Sequence, residues 1–319
     1  MNRPNKTRAV NNRYMHKSQI SNTTTDVKLL RYVRGYTRPS DMRHLTCGQY
    51  RCSIERQPEM TGADMYIFVE QDIINYRTPP KRNKHDIWLF TSIEPQNFIK
   101  PKLLKSWDGM FNYSSTFIQS SAGSMYNFRA KLIKKNVLNN TDFAAKKVEL
   151  KTKAKALWLV SHCTQTYRHS VLSARVAYAL ELLKYYPIDI YTRRSDCIRQ
   201  IGNHTQLETF KNVAKMKDYT FYLAFENNLC RDYISEKFWK VLEASGPTIP
   251  VALGGLSIEE YDKVAPPNSF IHVKNFSSPK QVAQHLKLVA ENPDAFNYYH
   301  QWRNEFDLSR QGDSYIILI

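Results

Sequence analysis

Residues 221–237 read FYLAFENNLCRDYISEK and run directly into FWKVLEASG at 238–246. An apolar run suited to a buried strand delivers Glu226 and Asn227 to a loop, and Tyr233, Glu236 and Lys237 then fall where helical periodicity begins. The first backbone N–H groups of a helix lack internal partners and its dipole adds positive potential, so such a start attracts anions. A lysine there suits a phosphate, and the tyrosine and carboxylates beside it suit a nucleotide sugar. The same spacing also describes an ordinary strand–helix junction capped by Ser235, and spacing by itself leaves both readings open.

Outward from this stretch the chain keeps a regular rhythm. ALWLVSHC (156–163) reads as a strand, SVLSARVAYALELLKYYP (170–187) as a helix ended by Pro187, and IDIY (188–191) as a short strand. TFYLAFEN (220–227) is a strand, about 234–245 a helix stopped by Gly246 and Pro247, TIPVALGG (248–255) and SFIHVKNF (269–276) strands, and PKQVAQHLKLVAEN (279–292) a helix. Strands alternating with helices of this length predict parallel βαβ units. Open parallel sheets bind ligands beyond the carboxyl ends of their strands, where SHC, FEN and LGG all fall. Toward the N-terminus, MYIFVEQDII (65–74) and DIWLFTSIEP (86–95) read as two buried strands, and the lysine-rich run 134–155 reads as a solvated linker.

Composition bounds the partner. The 319 residues hold 46 Lys+Arg against 29 Asp+Glu, a formal net charge of +17 that favours an anionic partner. No zinc-finger spacing, aromatic RNP box or basic zipper is present, so nucleic acid is not the expected partner. Cys47, Cys52, Cys163, Cys197 and Cys230 form no CxxC pair, and an odd count leaves at least one thiol unpaired within the chain. Asn-x-Ser/Thr sites begin at Asn5, Asn22, Asn112, Asn139, Asn203 and Asn275, which permits a secretory location. No run of about 18 apolar residues spans a membrane, and MNRPNKTRAVNNRYMHKS lacks the apolar centre of a signal peptide.

FYLAFENNLCRDYISEKFWK, then IPVALGG with Tyr261, and ALWLVSHCTQTYRHSVL resemble the α1,3-fucosyltransferases of glycosyltransferase family ten, with weaker similarity at DIWLFTSIEP and FNYSSTF. The resemblance covers roughly 60–303. It implies an α/β, GT-B-like architecture of two Rossmann-like domains facing across a cleft. It also implies inverting transfer of fucose from GDP-fucose to an N-acetylglucosamine-containing glycan, α1,3-linked, on glycoprotein or glycolipid. The domains expected are a polar, disordered segment at 1–40, an acceptor-side domain at 41–150, a GDP-fucose-binding domain at 151–305 and an atypical C-terminus at 306–319.

Inversion needs one carboxylate to deprotonate the acceptor hydroxyl while the diphosphate leaves from the opposite face. Glu94, in SIEP, matches the family's general base. Arg168 matches its diphosphate-binding arginine, whose fork can engage two phosphate oxygens at once. Lys237 matches the lysine on the same diphosphate, Glu236 a catalytic and donor-binding carboxylate that faces fucose or ribose and accepts hydroxyl hydrogen bonds or stabilises an oxocarbenium-like carbon, and Asn227 and Tyr233 two donor contacts. Glu226 ends the strand and orients the loop. Phe238, Trp239, Val241 and Leu242 read as helix face and core. The histidines show no metal spacing and no Asp-x-Asp pair is present, so no metal site and no tightly bound cofactor are expected, a divalent ion being at most stimulatory.

The chain departs from the family pattern in four places. Ile118, Gln119 and Ser120 stand where the family carries an Arg-Arg-Asp-Ser-like loop, and His162 replaces the Asn of Ser-Asn-Cys. The family's C-terminal cysteine pair and its membrane anchor, which would hold it in the Golgi, are absent from this sequence, so both ends look like those of a partial chain. The altered loop supports a second reading, an inactive relative that binds GDP or glycan.

Overall fold

The computed structural model describes residues 26–31, 43–47, 50–55, 63–92, 94, 95, 99, 101–118, 123–124, 131–135, 152–165, 168–192, 197, 201, 205–207, 216–244 and 246–309. Strands β1 (Asp26–Arg31), β2 (Arg43–Cys47), β3 (Tyr50–Glu55), β4 (Met65–Val69), β5 (Trp88–Ser92), β6 (Tyr113–Thr116) and β7 (Gly123–Ser124) build the first sheet, in the order β2-β3-β1-β4-β5-β6-β7. Only the β2–β3 pair is antiparallel. β4 and β5 carry nearly unbroken apolar runs because parallel strands are covered on both faces. Phe68, Trp88, Phe90, Trp107 and Ile73 pack together as the core of this half.

Two expectations for this half are corrected. Asp26–Arg31 lies inside the segment expected to be disordered, yet it pairs in parallel with both β3 and β4, so ladder hydrogen bonds override a polar local composition. MYIFVEQDII is not one strand: the chain leaves β4 at Val69, and Glu70–Tyr76 is a helix. Asp72 Oδ2 accepts from Val69 N at 2.7 Å, which caps the helix start, and acidic residues in a first turn suit the helix dipole.

The rest of the chain contributes β8 (Lys131–Lys134), β9 (Lys153–Leu159), β10 (Thr164–Gln165), β11 (Arg168–Leu172), β12 (Ile188–Thr192), β13 (Thr205–Leu207), β14 (Tyr219–Phe225), β15 (Ile249–Leu253), β16 (Ile271–His272) and β17 (Phe306–Ser309). The second sheet runs β13-β12-β9-β14-β15-β16, and every pairing in it is parallel. β14 is its centre: Phe221, Leu223 and Phe225 join one core with Trp158, Val176 and Leu286, while Tyr222 and Ala224 join the other with Phe238, Trp239 and Tyr261. That alternation is the period of a strand buried on both faces.

Helices Ala174–Leu183 and Pro279–Glu291 cover the first face, and Glu236–Glu243 the second. The helix expected from Ser170 starts later, because residues 170–172 belong to β11, paired with β10, and Ser173 is the extended N-cap. SFIHVKNF yields only the two-residue β16 before a 3-10 turn at Val273–Asn275.

β17 pairs antiparallel with β8 in a separate two-stranded sheet, and its Phe306 and Leu308 pack against the core that holds Phe238 and Tyr261. Lys135 reinforces that pairing, its Nζ 3.1 Å from an Asp307 carboxylate oxygen and its amide bonded to the Glu305 carbonyl. Residues 136–151 of the lysine-rich run and residues 310–319 lie outside the described residues.

Candidate functional site

In the second sheet the chain goes from β9 to β12 on one side, then crosses to β14 on the other. The crevice at such a switch point lies beyond the carboxyl ends of β9 and β14, between the SHC and FEN loops. Three contacts fix the FEN loop. The Glu226 amide donates to the Leu253 carbonyl at 2.8 Å, extending the β14–β15 ladder by one residue. The Glu226 carboxylate accepts from the Ser235 amide at 2.7 Å, tying the strand end to the residue that caps helix Glu236–Glu243. Between them, Asp232 takes φ 62, a left-handed turn that a short polar side chain tolerates, immediately before Tyr233.

Glu226 is buried, and desolvation pushes its carboxyl up to about 7 against the opposing pull of Lys237 and the Ser235 bonds. Lys237 itself is only half-buried, its Nζ 3.2 Å from Glu236 Oε1 and 3.1 Å from Ser235 Oγ. The ammonium is therefore held at the helix start while remaining open to an incoming anion. The Lys237 amide beside it is already taken by Ser235 Oγ at 3.4 Å and the Phe238 amide by the Ser235 carbonyl at 3.2 Å.

Gly255 supports the loop from below. A Cβ there would stand 2.5 Å from the Cys230 carbonyl oxygen and from Leu229 C, so backbone must move to admit it. Gly255→Ala is expected to cost about 1–3 kcal/mol, the usual range for overpacking. Its melting midpoint should fall by several degrees, and a midpoint equal to that of the parent would show that the loop gives way freely.

Glu94 reaches this loop from the other sheet. It follows β5, and Ser92 Oγ donates to its carbonyl at 2.6 Å. Its Oε2 accepts from the Tyr233 hydroxyl at 2.9 Å and from Asn227 Nδ2 at 3.2 Å. Burial first, and the Glu94 carboxylate second, push the Tyr233 hydroxyl far above its ordinary pKa, so it stays protonated and donates. The Phe117 ring meets the Tyr233 ring edge-on at 5.1 Å.

Glu94, Glu226, Asn227, Tyr233, Glu236 and Lys237 are thus brought together. Arg168 opens β11, opposite Gln165 of β10, and its side chain lies outside the described residues. Gln119 and Ser120 lie outside them too, whereas Ile118 is exposed beyond β6.

The sequence reading missed Arg175. It is buried, and its guanidinium donates to the Phe225 carbonyl at 3.0 Å and to the His162 carbonyl at 2.8 Å, bracing the ends of β14 and the SHC loop. Burial lowers its pKa, and Glu226, Tyr233, Tyr222 and Glu94 oppose that shift. A signal was present: Arg175, Ala179 and Leu182 share the i, i+4, i+7 face that packs on the sheet. Cys163 and Cys197, separated by 34 residues, form a disulfide joining the SHC loop to the chain beyond β12, and Cys230 is a free thiol. Among the described residues no group of His, Cys, Asp and Glu could hold a metal ion, and no helix is long and apolar enough to cross a membrane.

The family model described as glycosyltransferase family 10 (fucosyltransferase) C-term matches residues 148–316. Alpha-(1,3)-fucosyltransferase C of Drosophila melanogaster is 30% identical over 295 residues, covering 85% of this chain and 65% of that protein. The 3-galactosyl-N-acetylglucosaminide 4-alpha-L-fucosyltransferase of Bos taurus is 33% identical over 228 residues, covering 70% of this chain and 55% of that protein. The chain therefore spans about two thirds or less of the length of these relatives. A solved alpha1,3-fucosyltransferase with GDP superposes with a TM-score of 0.54 at 14% identity, over 89% of this chain and 84% of that one. At that identity the likeness is one of fold, the GT-B-like α/β arrangement.

Proposed function

The chain belongs to glycosyltransferase family 10, the fucosyltransferases, and we propose that it transfers fucose with inversion from GDP-fucose to an N-acetylglucosamine-containing glycan, through an α1,3 linkage. The observation that carries this reading is the Glu94 carboxylate, which reaches across from the first sheet to the anion-ready loop of the second. A base on one wall and a cationic helix start on the other are what a single displacement requires.

In this mechanism Glu94 takes the proton of the acceptor hydroxyl as that oxygen attacks the anomeric carbon. The diphosphate leaves from the opposite face, and Lys237 and Arg168 offset the growing charge. Glu236 accepts hydrogen bonds from donor hydroxyls. Residues 41–150 serve the acceptor and 151–305 the donor, with Arg175 holding the two strand-end loops at the crevice. The acceptor is a glycan on glycoprotein or glycolipid, and the compartment is the Golgi lumen. The Cys163–Cys197 disulfide suits an oxidising location of that kind.

Lys237→Ala is expected to weaken GDP binding about 10–100-fold, the worth of a charge-assisted hydrogen bond, as read by calorimetry. No detectable GDP binding by the folded parent protein would sink the donor assignment. The second reading, an inactive relative that keeps GDP or glycan binding, draws on Ile118, exposed next to the Phe117 that touches Tyr233. Measurable fucose transfer to a LacNAc-type acceptor eliminates it.

A further inference from the structure

We propose that Ile118 is a specificity-determining residue for the acceptor: its side chain receives the acetamide methyl group of the N-acetylglucosamine whose hydroxyl Glu94 deprotonates. The proposal rests on the reading of this chain as a fucosyltransferase with Glu94 as base, and it adds the part of the acceptor that this side of the crevice recognises.

The strand register places the two residues side by side. β5 and β6 are parallel neighbours, and Ser92 is the register partner of Thr116. Each partner then fixes the residue two positions further along. The Ser92 hydroxyl donates to the Glu94 carbonyl at 2.6 Å, and the Thr116 hydroxyl accepts from the Ile118 amide at 3.2 Å. Glu94 and Ile118 therefore leave the carboxyl edge of the sheet at the same level on adjoining strands, which lie about 4.8 Å apart. Tyr233 completes the arrangement from the second sheet. Its hydroxyl donates to Glu94 and its ring meets Phe117, so the base and the turn at Phe117 and Ile118 border one opening. Within that turn Phe117 is engaged by Tyr233, whereas Ile118 is 41% exposed.

The acceptor's own geometry selects what meets Ile118. In α1,3 transfer the attacking oxygen is on C3 of N-acetylglucosamine, and the acetamido group is on the adjacent carbon, C2. With that oxygen at Glu94, the acetamide methyl reaches a distance comparable to one strand spacing. A branched aliphatic side chain suits a methyl group there, since covering both removes apolar surface from water. The arginines that the family carries in this loop would instead offer charge and hydrogen-bond donors.

Lactose tests the contact, because it keeps the galactose and the reacting C3 hydroxyl of LacNAc and replaces the acetamido group by a hydroxyl. The parent should use LacNAc with a kcat/KM well above that for lactose. Ile118→Ser should lower the LacNAc-to-lactose ratio of kcat/KM about 5–20-fold, the worth of one or two aliphatic carbons in contact. Ile118→Val, which keeps a branched aliphatic surface, should hold that ratio within about threefold of the parent's. Saturation-transfer NMR with LacNAc and GDP reads the same contact without turnover: the acetamide methyl should carry the strongest signal in the parent and lose it selectively in Ile118→Ser. Ile118 is exposed, so melting midpoints within about 2 °C of each other are expected and exclude misfolding as the cause.

An Ile118→Ser protein that keeps the parent's LacNAc-to-lactose ratio and acetamide signal would overturn the proposal and leave the fucosyltransferase reading intact. A parent that transfers no fucose to LacNAc fails at that earlier reading, and the acetamide signal then decides alone. Present in the parent and lost in Ile118→Ser, it supports the contact; absent from the parent, it overturns it.

Discussion

Glu94→Gln is expected to lower turnover about 10²–10⁴-fold, the scale of a lost general base, while GDP affinity stays near that of the parent. The amide is nearly isosteric with the carboxylate and still offers an oxygen to Tyr233 and Asn227, so the contact between the sheets survives and only proton acceptance is lost. Donor binding is spared because the groups assigned to the diphosphate, Lys237 above all, sit on the opposite wall. Initial rates with a LacNAc-type acceptor, alongside GDP calorimetry, separate the two effects. Unchanged turnover would take Glu94 out of the mechanism.

Replacing Cys163 and Cys197 together by serine is expected to cost about 4 kcal/mol, the loop-closure value for a bridge across a few tens of residues. For a protein of this size that corresponds to a melting midpoint lower by about 8–16 °C. The bond closes over β10, β11, helix Ala174–Leu183 and β12, and it fixes the SHC loop next to the His162 carbonyl that Arg175 holds. Its loss should therefore loosen the crevice as well as the fold. A double variant melting within about 2 °C of the parent would show that packing alone keeps these segments together.

The second sheet was largely legible in the sequence, and its centre most of all. TFYLAF is a continuous apolar run, as a central parallel strand must be, and Ser235 marks the next helix as its cap. Errors arose where an apolar run continued through a change of element. MYIFV is wholly apolar and EQDII closes on two isoleucines, but the polar triplet between them, with the acidic pair Glu70 and Asp72, marks a helix start. Ser170 opens the stretch read as a helix, yet β11 runs on to Leu172 and the N-cap is Ser173.

The site was legible as a list of residues but not as an arrangement. Residues 94 and 233 meet only because two sheets present their carboxyl ends to each other, and nothing local in either segment records it. Arg175 was hidden for a different reason. An arginine within a helix normally lies on the solvated face, and its burial is earned by two carbonyls that belong to other elements.

The parallel neighbours of β14 also set the order in which the molecule can be made. Phe221 pairs with Ala156 on one side and with Ile249 on the other, so its ladders join segments distant in the chain. Pairings of that kind close slowly, since loop entropy is lost before any contact compensates for it. The Glu226 amide waits for the Leu253 carbonyl. A chain emerging from the ribosome therefore carries every residue of the FEN loop well before it can hold that loop in shape, and the crevice forms only once β15 has been synthesised and docked.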